Sequence, residues 1–283
     1  MKKALLIVIA ALVFLAALIF TIYPLISDYI NSKYQSEIQT AYADEVAAMD
    51  DAEIAAAWEA ARNYNDSLLP VRYTQDALSN AKVEYEKQLN VDGAGIMGYV
   101  EIPKIDVYLP IYHGTGAAAL EDGVGHLVGS SLPIGGIGSH AVLTGHSGVA
   151  GKRLFSDLEQ LQAGDVFYLH VLGKVLAYQV EEVNTVLPDD CTRLGSIEGK
   201  DCCTLITCTP FGVNTHRLLV RGSRIPYENA KTVERGVERT SVKSTWMQQY
   251  YHGLLLGFGL LAGVAAVGAL LFFIQRRKRH DKG

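Results

Sequence analysis

The chain begins and ends in apolar runs. Between them the pattern changes from helical to strand-like. Residues 4–22 are apolar apart from Thr21, and residues 253–274 carry no charge. Each run reaches the roughly 20 residues a helix needs to cross about 30 Å of hydrocarbon, where a helix satisfies its own backbone groups. From Asp28 to about Asn65, Ile30, Tyr34, Ile38, Tyr42, Val46 and Met49 recur every three or four positions, the period of a helix with one apolar face. Asp50 and Glu53 have capping-box spacing, which predicts a second helix starting there. The pattern leaves open whether these helices pack on a core or form a stalk. Residues 64–71, with Pro70, read as a loop. Residues 76–89 read as a short helix ended by Asn90 and the Gly93/Gly95 pair.

From Ile96 onward short segments rich in β-branched and aromatic residues predict strands at 98–102, 107–112, 141–144, 166–172, 175–186, 203–207 and 216–221. Gly, Pro and Asp punctuate them, and a short helix is expected around 154–161. Many short strands separated by turn signals predict a mainly β domain, a barrel or sandwich. Residues 225–250 are polar and read as a tether to the second apolar run.

Charge orients the two runs. Lys2 and Lys3 precede the first, and Arg276, Arg277, Lys278, Arg279 and Lys282 follow the second. Basic flanks favour the cytoplasm, so two spans put residues 28–252 outside, and Trp246, Tyr250 and Tyr251 fall where an interfacial aromatic belt would lie. The competing reading of the first run is a cleaved signal peptide. Cleavage needs small residues just after the run, and Phe20-Thr21-Ile22-Tyr23-Pro24 is bulky, so an uncleaved anchor is expected. With 49% hydrophobic and 19% charged residues in 283, the chain is not intrinsically disordered. The net charge is −5. The end flanks hold seven Lys/Arg and one Asp, a net of +6, so the remainder carries −11. Such an exterior has no electrostatic footprint for nucleic acid. It suits simple solubility, or a cationic partner such as a substrate lysine.

The candidate chemistry centres on cysteine. Of Cys191, Cys202, Cys203 and Cys208, the adjacent Cys202 and Cys203 point to opposite faces of a strand, so at most one of them pairs readily with Cys191. Nothing supplies the paired spacings of a zinc site, so no zinc is expected. Cys203 reads as a small core residue. Cys208 ends the apolar stretch Thr204-Leu205-Ile206-Thr207, and the chain returns shortly afterwards as His216-Arg217-Leu218-Leu219-Val220, which lets Arg217 lie beside the thiol. His146 follows another predicted strand and sits among glycines, in Leu143-Thr144-Gly145-His146-Ser147-Gly148. Cysteine attacks as a thiolate, which cationic neighbours favour. Histidine can protonate a leaving amine, and arginine can offer donors to a developing oxyanion. Together these parts make an acyl-transfer site. His113, His126, His140, His170 and His216 compete with His146 on spacing alone.

The residues that carry this chemistry also carry a family resemblance. Thr204 to Cys208, TLITC, resembles the TLxTC signature of sortases. Phe211 to Gly222, FGVNTHRLLVRG, is similar to the stretch holding the sortase arginine, and LTGHSG at 143–148 to the catalytic-histidine segment. MGYVEIPKIDVYLPIYHG at 97–114 and GVGHLVGSSLPIGG at 123–136 resemble class C, pilin-assembling sortases in particular. The resemblance covers about residues 64–225, and the two-span layout suits the class.

It implies an eight-stranded sortase-type β-barrel with N-terminal helices, flanked by two transmembrane helices, on the outer face of a Gram-positive cell membrane. It implies a cysteine transpeptidase, with no metal or organic cofactor, that cleaves an LPxTG-like sorting signal between Thr and Gly and passes the thioacyl intermediate to a lysine amine of a pilin subunit. Residue by residue, Cys208 becomes the nucleophile, His146 the acid/base and Arg217 the oxyanion or substrate-orienting donor; His126 and His216 read as structural. Class C sortases commonly carry an Asp-Pro-aromatic lid. Here Asp76-Ala77-Leu78 is the nearest match and lacks both the Pro and the ring, so Asp76 and Leu78 either form a weaker lid or simply begin a helix.

The implied layout is a cytoplasmic start and anchor at 1–27, a helical stalk and lid at 28–95, the catalytic barrel at 96–225, a juxtamembrane tether at 226–252, and the second span with its basic tail at 253–283. Two other readings stay open: a sortase that anchors surface proteins to cell-wall peptidoglycan, and a non-catalytic, membrane-tethered domain that binds an envelope partner.

Overall fold

A computed structural model describes residues 2–68, 84–91, 93–149 and 152–236, with parts of 248–263. Eight strands close into a barrel. They are β1 (Ile96–Ile102), β2 (Val107–His113), β3 (Val124–His126), β4 (His140–Thr144), β5 (Val166–Val171), β6 (Lys174–Val186), β7 (Cys202–Thr209) and β8 (His216–Ile225). The order around the barrel is β1-β2-β3-β4-β7-β8-β6-β5. Closure leaves no free sheet edge to pair with other chains. Most neighbours are antiparallel, but β3 runs parallel to β2 and β4 parallel to β7.

Strand alternation sorts the side chains. Met97, Ile111, Leu143, Leu169, Cys203, Leu205 and Val220 project into the main core and are essentially fully buried. The N-terminal helices α1 (Lys2–Ala48) and α2 (Asp51–Ser67) bring Tyr42, Val46, Trp58 and Ala61 to the same core. Of the two arrangements the periodicity allowed, the part from Ile38 onward therefore packs on the barrel, while Ile30 and Tyr34 stay exposed. Tyr42 fixes the contact: its hydroxyl donates to Met97 O at 3.1 Å and accepts from Leu172 N at 3.2 Å. The expected capping box is present, with Asp50 accepting from Glu53 N and Glu53 accepting from Asp50 N.

Three local expectations change. Strand β3 has only three residues, too short for a period-2 signal, and its partners β2 and β4 lie elsewhere in the chain. Gly125 permits this strand, because a Cβ there would lie 2.4 Å from Gly114 O. The helix expected at 154–161 is a set of turns with a single 3-10 helix at Leu158–Gln160. The first part of the polar stretch read as a tether is a helix at Tyr227–Gly236, which buries Ala230 against Val166, Tyr168 and Ala177.

The chain divides into two units, Met1–Thr21 with Lys243–Gly283, and Ile22–Val242. The first unit thus pairs the two chain ends; the second contains the barrel. Among the described residues no helix is long and apolar enough to cross a membrane. Most of the apolar run 253–274 lies outside them, as do Asp76, Leu78 and the rest of 76–83 in the helix expected at 76–89; the described remainder is helical at 84–87.

Candidate active site

Strand β7 lies between β4 and β8 and presents two faces. Its odd-numbered residues Cys203 and Leu205 enter the main core. Its even-numbered residues face outward, where Ile206 joins Val142 of β4 and Leu219 of β8 in a separate apolar cluster. Cys208 is the next outward position and is half-buried.

Register places Arg217 directly opposite Cys208, with Ile206 opposite Leu219 two residues before. Side chains opposite each other on antiparallel strands have Cβ atoms roughly 4.5–5.5 Å apart. The Arg217 Nη1 donates to the carbonyls of His216 at 3.0 Å and Asn214 at 3.3 Å. Its remaining guanidinium donors have no partner among the described residues, so they can serve a ligand.

His146 arrives from β4. Gly145 N donates to Ile206 O at 2.9 Å, and Thr207 Oγ1 donates to Gly145 O at 2.8 Å. These two bonds pin the loop to β7 one and two residues before Cys208, and His146 is the first residue beyond the pin. Gly145 is required because a Cβ there would lie 2.8 Å from the Phe155 ring. The carbonyl of His146 accepts from Phe155 N at 3.0 Å. A Cβ on Gly148 would lie 3.5 Å from Gly212 N, so the histidine loop borders the β7–β8 loop at the end of the strands where Cys208 and Arg217 sit.

The structure separates His146 from its competitors. Of the six histidines between residues 113 and 216, the other five have ring partners. His126 is fully buried between the Tyr85 hydroxyl (2.9 Å) and Ser131 O (2.8 Å), and burial pulls its pKa down to about 4. His140 bridges Gly195 O and Thr204 Oγ1, and burial lowers its pKa as well. His113 lies between two backbone carbonyls, His170 is paired with Glu101, and His216 contacts Thr215. The His146 ring has no hydrogen-bond partner among the described residues, which leaves both nitrogens available for proton transfer.

All four cysteines are free thiols, so the pairing of Cys191 with a neighbour that the sequence allowed is not formed. Burial pushes the Cys202 and Cys203 thiols up, away from the reactive thiolate. No group of three or more His, Cys, Asp or Glu suited to a metal occurs among the described residues.

Pattern reasoning missed the β6–β7 loop. Its Leu194 packs on the outer apolar cluster. Flanking Arg193 and Lys200 pair with Glu182 and Glu181 of β6, which Arg221 of β8 also bridges. No periodicity marks Leu194, because only the folded loop brings it against Val142, Ile206 and Leu219.

Comparison with known proteins agrees with this architecture. The Sortase domain family matches residues 100–225, from within β1 to the last residue of β8. Sortase C1 of Streptococcus agalactiae is 44% identical, covers 67% of this chain and 98% of its own, and superposes with a TM-score of 0.64. The chain belongs to the sortase family. A sortase C of Streptococcus pneumoniae is 42% identical over 68% of this chain and 97% of its own, with a TM-score of 0.60. A curated relative, sortase A of Streptococcus agalactiae, is 30% identical over 158 residues; that stretch is 55% of this chain but only 61% of the relative, less than two thirds of its length. The structural likeness is thus to class C sortases, and the family match falls on the barrel that carries Cys208, His146 and Arg217.

Proposed function

We propose that this sortase is a membrane-anchored cysteine transpeptidase that cuts an LPxTG-like sorting signal between Thr and Gly and joins the threonyl end to a lysine amine of a pilin. The observation that carries the reading is the registered Cys208–Arg217 pair on the outer face of the barrel, with the His146 loop pinned to the same strand. The apolar cluster of Val142, Ile206 and Leu219 beside it suits the Leu-Pro portion of such a signal. The class C likeness supports a pilin acceptor, and the Streptococcus pneumoniae relative is described in terms of pilin substrate specificity.

In the first half-reaction the Cys208 thiolate attacks the threonyl carbonyl carbon. Arg217 donates to the oxyanion that forms. The C–N bond to glycine breaks as His146 gives its proton to the leaving amine, and a C–S thioester remains. In the second, a neutral lysine amine attacks the thioester, His146 takes the amine proton, and the new amide forms as Cys208 departs as thiolate.

Anchoring rests on the two apolar runs and their basic flanks, which favour two passes with the barrel outside. Protease added to intact protoplasts should then remove the middle of the chain and spare terminal tags; a protected middle overturns that placement.

The test of the activity uses the full-length protein in detergent with a panel of sorting-signal peptides. Mass spectrometry should find the threonyl acyl group on Cys208, and a lysine-bearing pilin peptide should discharge it. Absence of any adduct sinks the transpeptidase reading. Discharge by peptidoglycan-type amines but not by the pilin peptide would instead make this a cell-wall anchoring sortase.

A further inference from the structure

A cavity of about 1370 Å³ opens beside the barrel between α2, the glycine-rich loop joining β3 to β4, and the β6–β7 loop. Its walls contain none of Cys208, His146 and Arg217. It nevertheless adjoins the apolar cluster beside Cys208, because Leu127 and Leu194 line the cavity and also pack on Val142, Ile206 and Leu219. His140, in the cavity wall, stands opposite Cys202, six residues along β7 from Cys208. At strand rise that is roughly 20 Å, the span of about six extended residues.

Direction follows from the chemistry of the sorting signal, and the inference rests on the reading given above. The apolar Leu-Pro pair precedes the scissile Thr-Gly bond. If that bond lies over Cys208 and Leu-Pro lies on the apolar cluster, the donor chain runs from the cluster toward the cavity as it is followed back toward its N-terminus. The residues before the motif, about four to seven positions from the scissile threonine, then reach the cavity. Its rim holds two apolar side chains held out to solvent: Ile137 is 88% exposed and Val128 is 40% exposed. Lys174, on the cavity wall, has no carboxylate partner among the described residues, and its Nζ lies 4.4 Å from the Trp58 ring centroid.

We propose that this cavity is a second donor subsite that binds, as an extended peptide, the residues immediately N-terminal to the sorting motif. Ile137 and Val128 cover an apolar side chain of that segment, and the shared Leu127 and Leu194 join the two parts of the donor path.

The test compares two acetylated peptides, Leu-Pro-Ala-Thr-Gly-Gly and the same peptide preceded by Val-Thr-Val-Thr, on the full-length protein in detergent. The longer peptide should acylate Cys208 with roughly tenfold higher kcat/KM, expressed in KM. Ile137→Ser should remove that advantage and leave the short peptide unchanged, while Ile137→Leu should keep it; at 88% exposure the position is not needed for folding. Equal kcat/KM for the two peptides overturns the subsite. So does an Ile137→Ser variant that retains the length effect, or one that raises the KM of the lysine acceptor alone, which would give the cavity to the acceptor. If neither peptide acylates Cys208 while other sorting-signal peptides do, the donor path traced here is wrong. If no peptide of any kind does, the transpeptidase reading fails first and takes the subsite with it.

Discussion

Cys203 and Cys208 lie five residues apart on one strand, and the two faces of that strand give them opposite fates. Cys203 faces inward, is fully buried among core residues, and has its thiol pushed up by burial. Cys208 faces outward at the end of the same strand, half-buried, opposite an arginine and next to a pinned histidine loop. The residue type is the same in both places. What differs is parity along the strand and distance from its end. The core face supplies rigidity, and on the outer face that rigidity holds Cys208 and Arg217 in register.

The sharpest way to break this contrast is to exchange the roles of the two thiols. Cys208→Ala should abolish the thioacyl adduct, whereas Cys203→Ala should keep adduct formation per folded molecule and lose some stability. Trapping by mass spectrometry beside a thermal melt reads both, and near-normal turnover in Cys208→Ala would reject the outer-face site.

Next in size are the partners of Cys208. His146→Ala and Arg217→Ala should each lower kcat by about 10²–10⁴-fold. Arg217→Lys should recover only part, since an ammonium lacks the forked donors of guanidinium. Steady-state kinetics with a fluorogenic sorting peptide would show this; a variant of either residue at full rate would remove it from the mechanism.

Adjacent residues on β7 extend the comparison to packing. Leu205→Ala, on the inner face, should cost about 2–5 kcal/mol of stability with little change in KM. Ile206→Ala, on the outer face, should raise the donor KM several-fold and cost less stability. Urea unfolding and kinetics on both variants would expose a contrast that is absent or reversed.

The smallest effect tests the buried histidines. The folded-state pKa of His126 is held near 4, below its ordinary value of 6.5. Between those values the unfolded chain binds a proton that the folded chain refuses, so stability falls as pH drops from 6.5 toward 4. His126 alone should remove about 2 kcal/mol between pH 7 and 5, and His140, lowered in the same direction, should add to it. Urea midpoints across this range should slope less in His126→Asn. An unchanged slope would show that His126 is not the group responsible.

Much of the fold was legible because its signals are local. Seven of the eight strands have enough β-branched and aromatic residues to be seen in sequence, and the Asp50–Glu53 box marks the start of α2. Strand β3 was not visible: three residues give no period, and its hydrogen bonds go to partners that tertiary folding supplies. The helix at Tyr227–Gly236 reads as polar because it buries so little, chiefly Ala230. In the site, Cys208, His146 and Arg217 were named from local motifs and family resemblance. Leu194, the Glu181/Glu182 ion pairs of its loop and the cavity beyond it had no such signal.

The sequence by itself determined the inventory: apolar ends with basic flanks, a strand-rich middle, and a thiol, an imidazole and a guanidinium in motifs that resemble one family. Periodicity and residue chemistry act over a few neighbours and can be read without a fold. Only the tertiary structure decided which of six histidines was left without a ring partner, and which cysteine faced a guanidinium. It also set Leu194 of the β6–β7 loop against both the outer apolar cluster and the cavity. Those outcomes depend on barrel closure and register, where strands far apart in the chain become neighbours and a one-residue shift would turn Cys208 inward and Cys203 out.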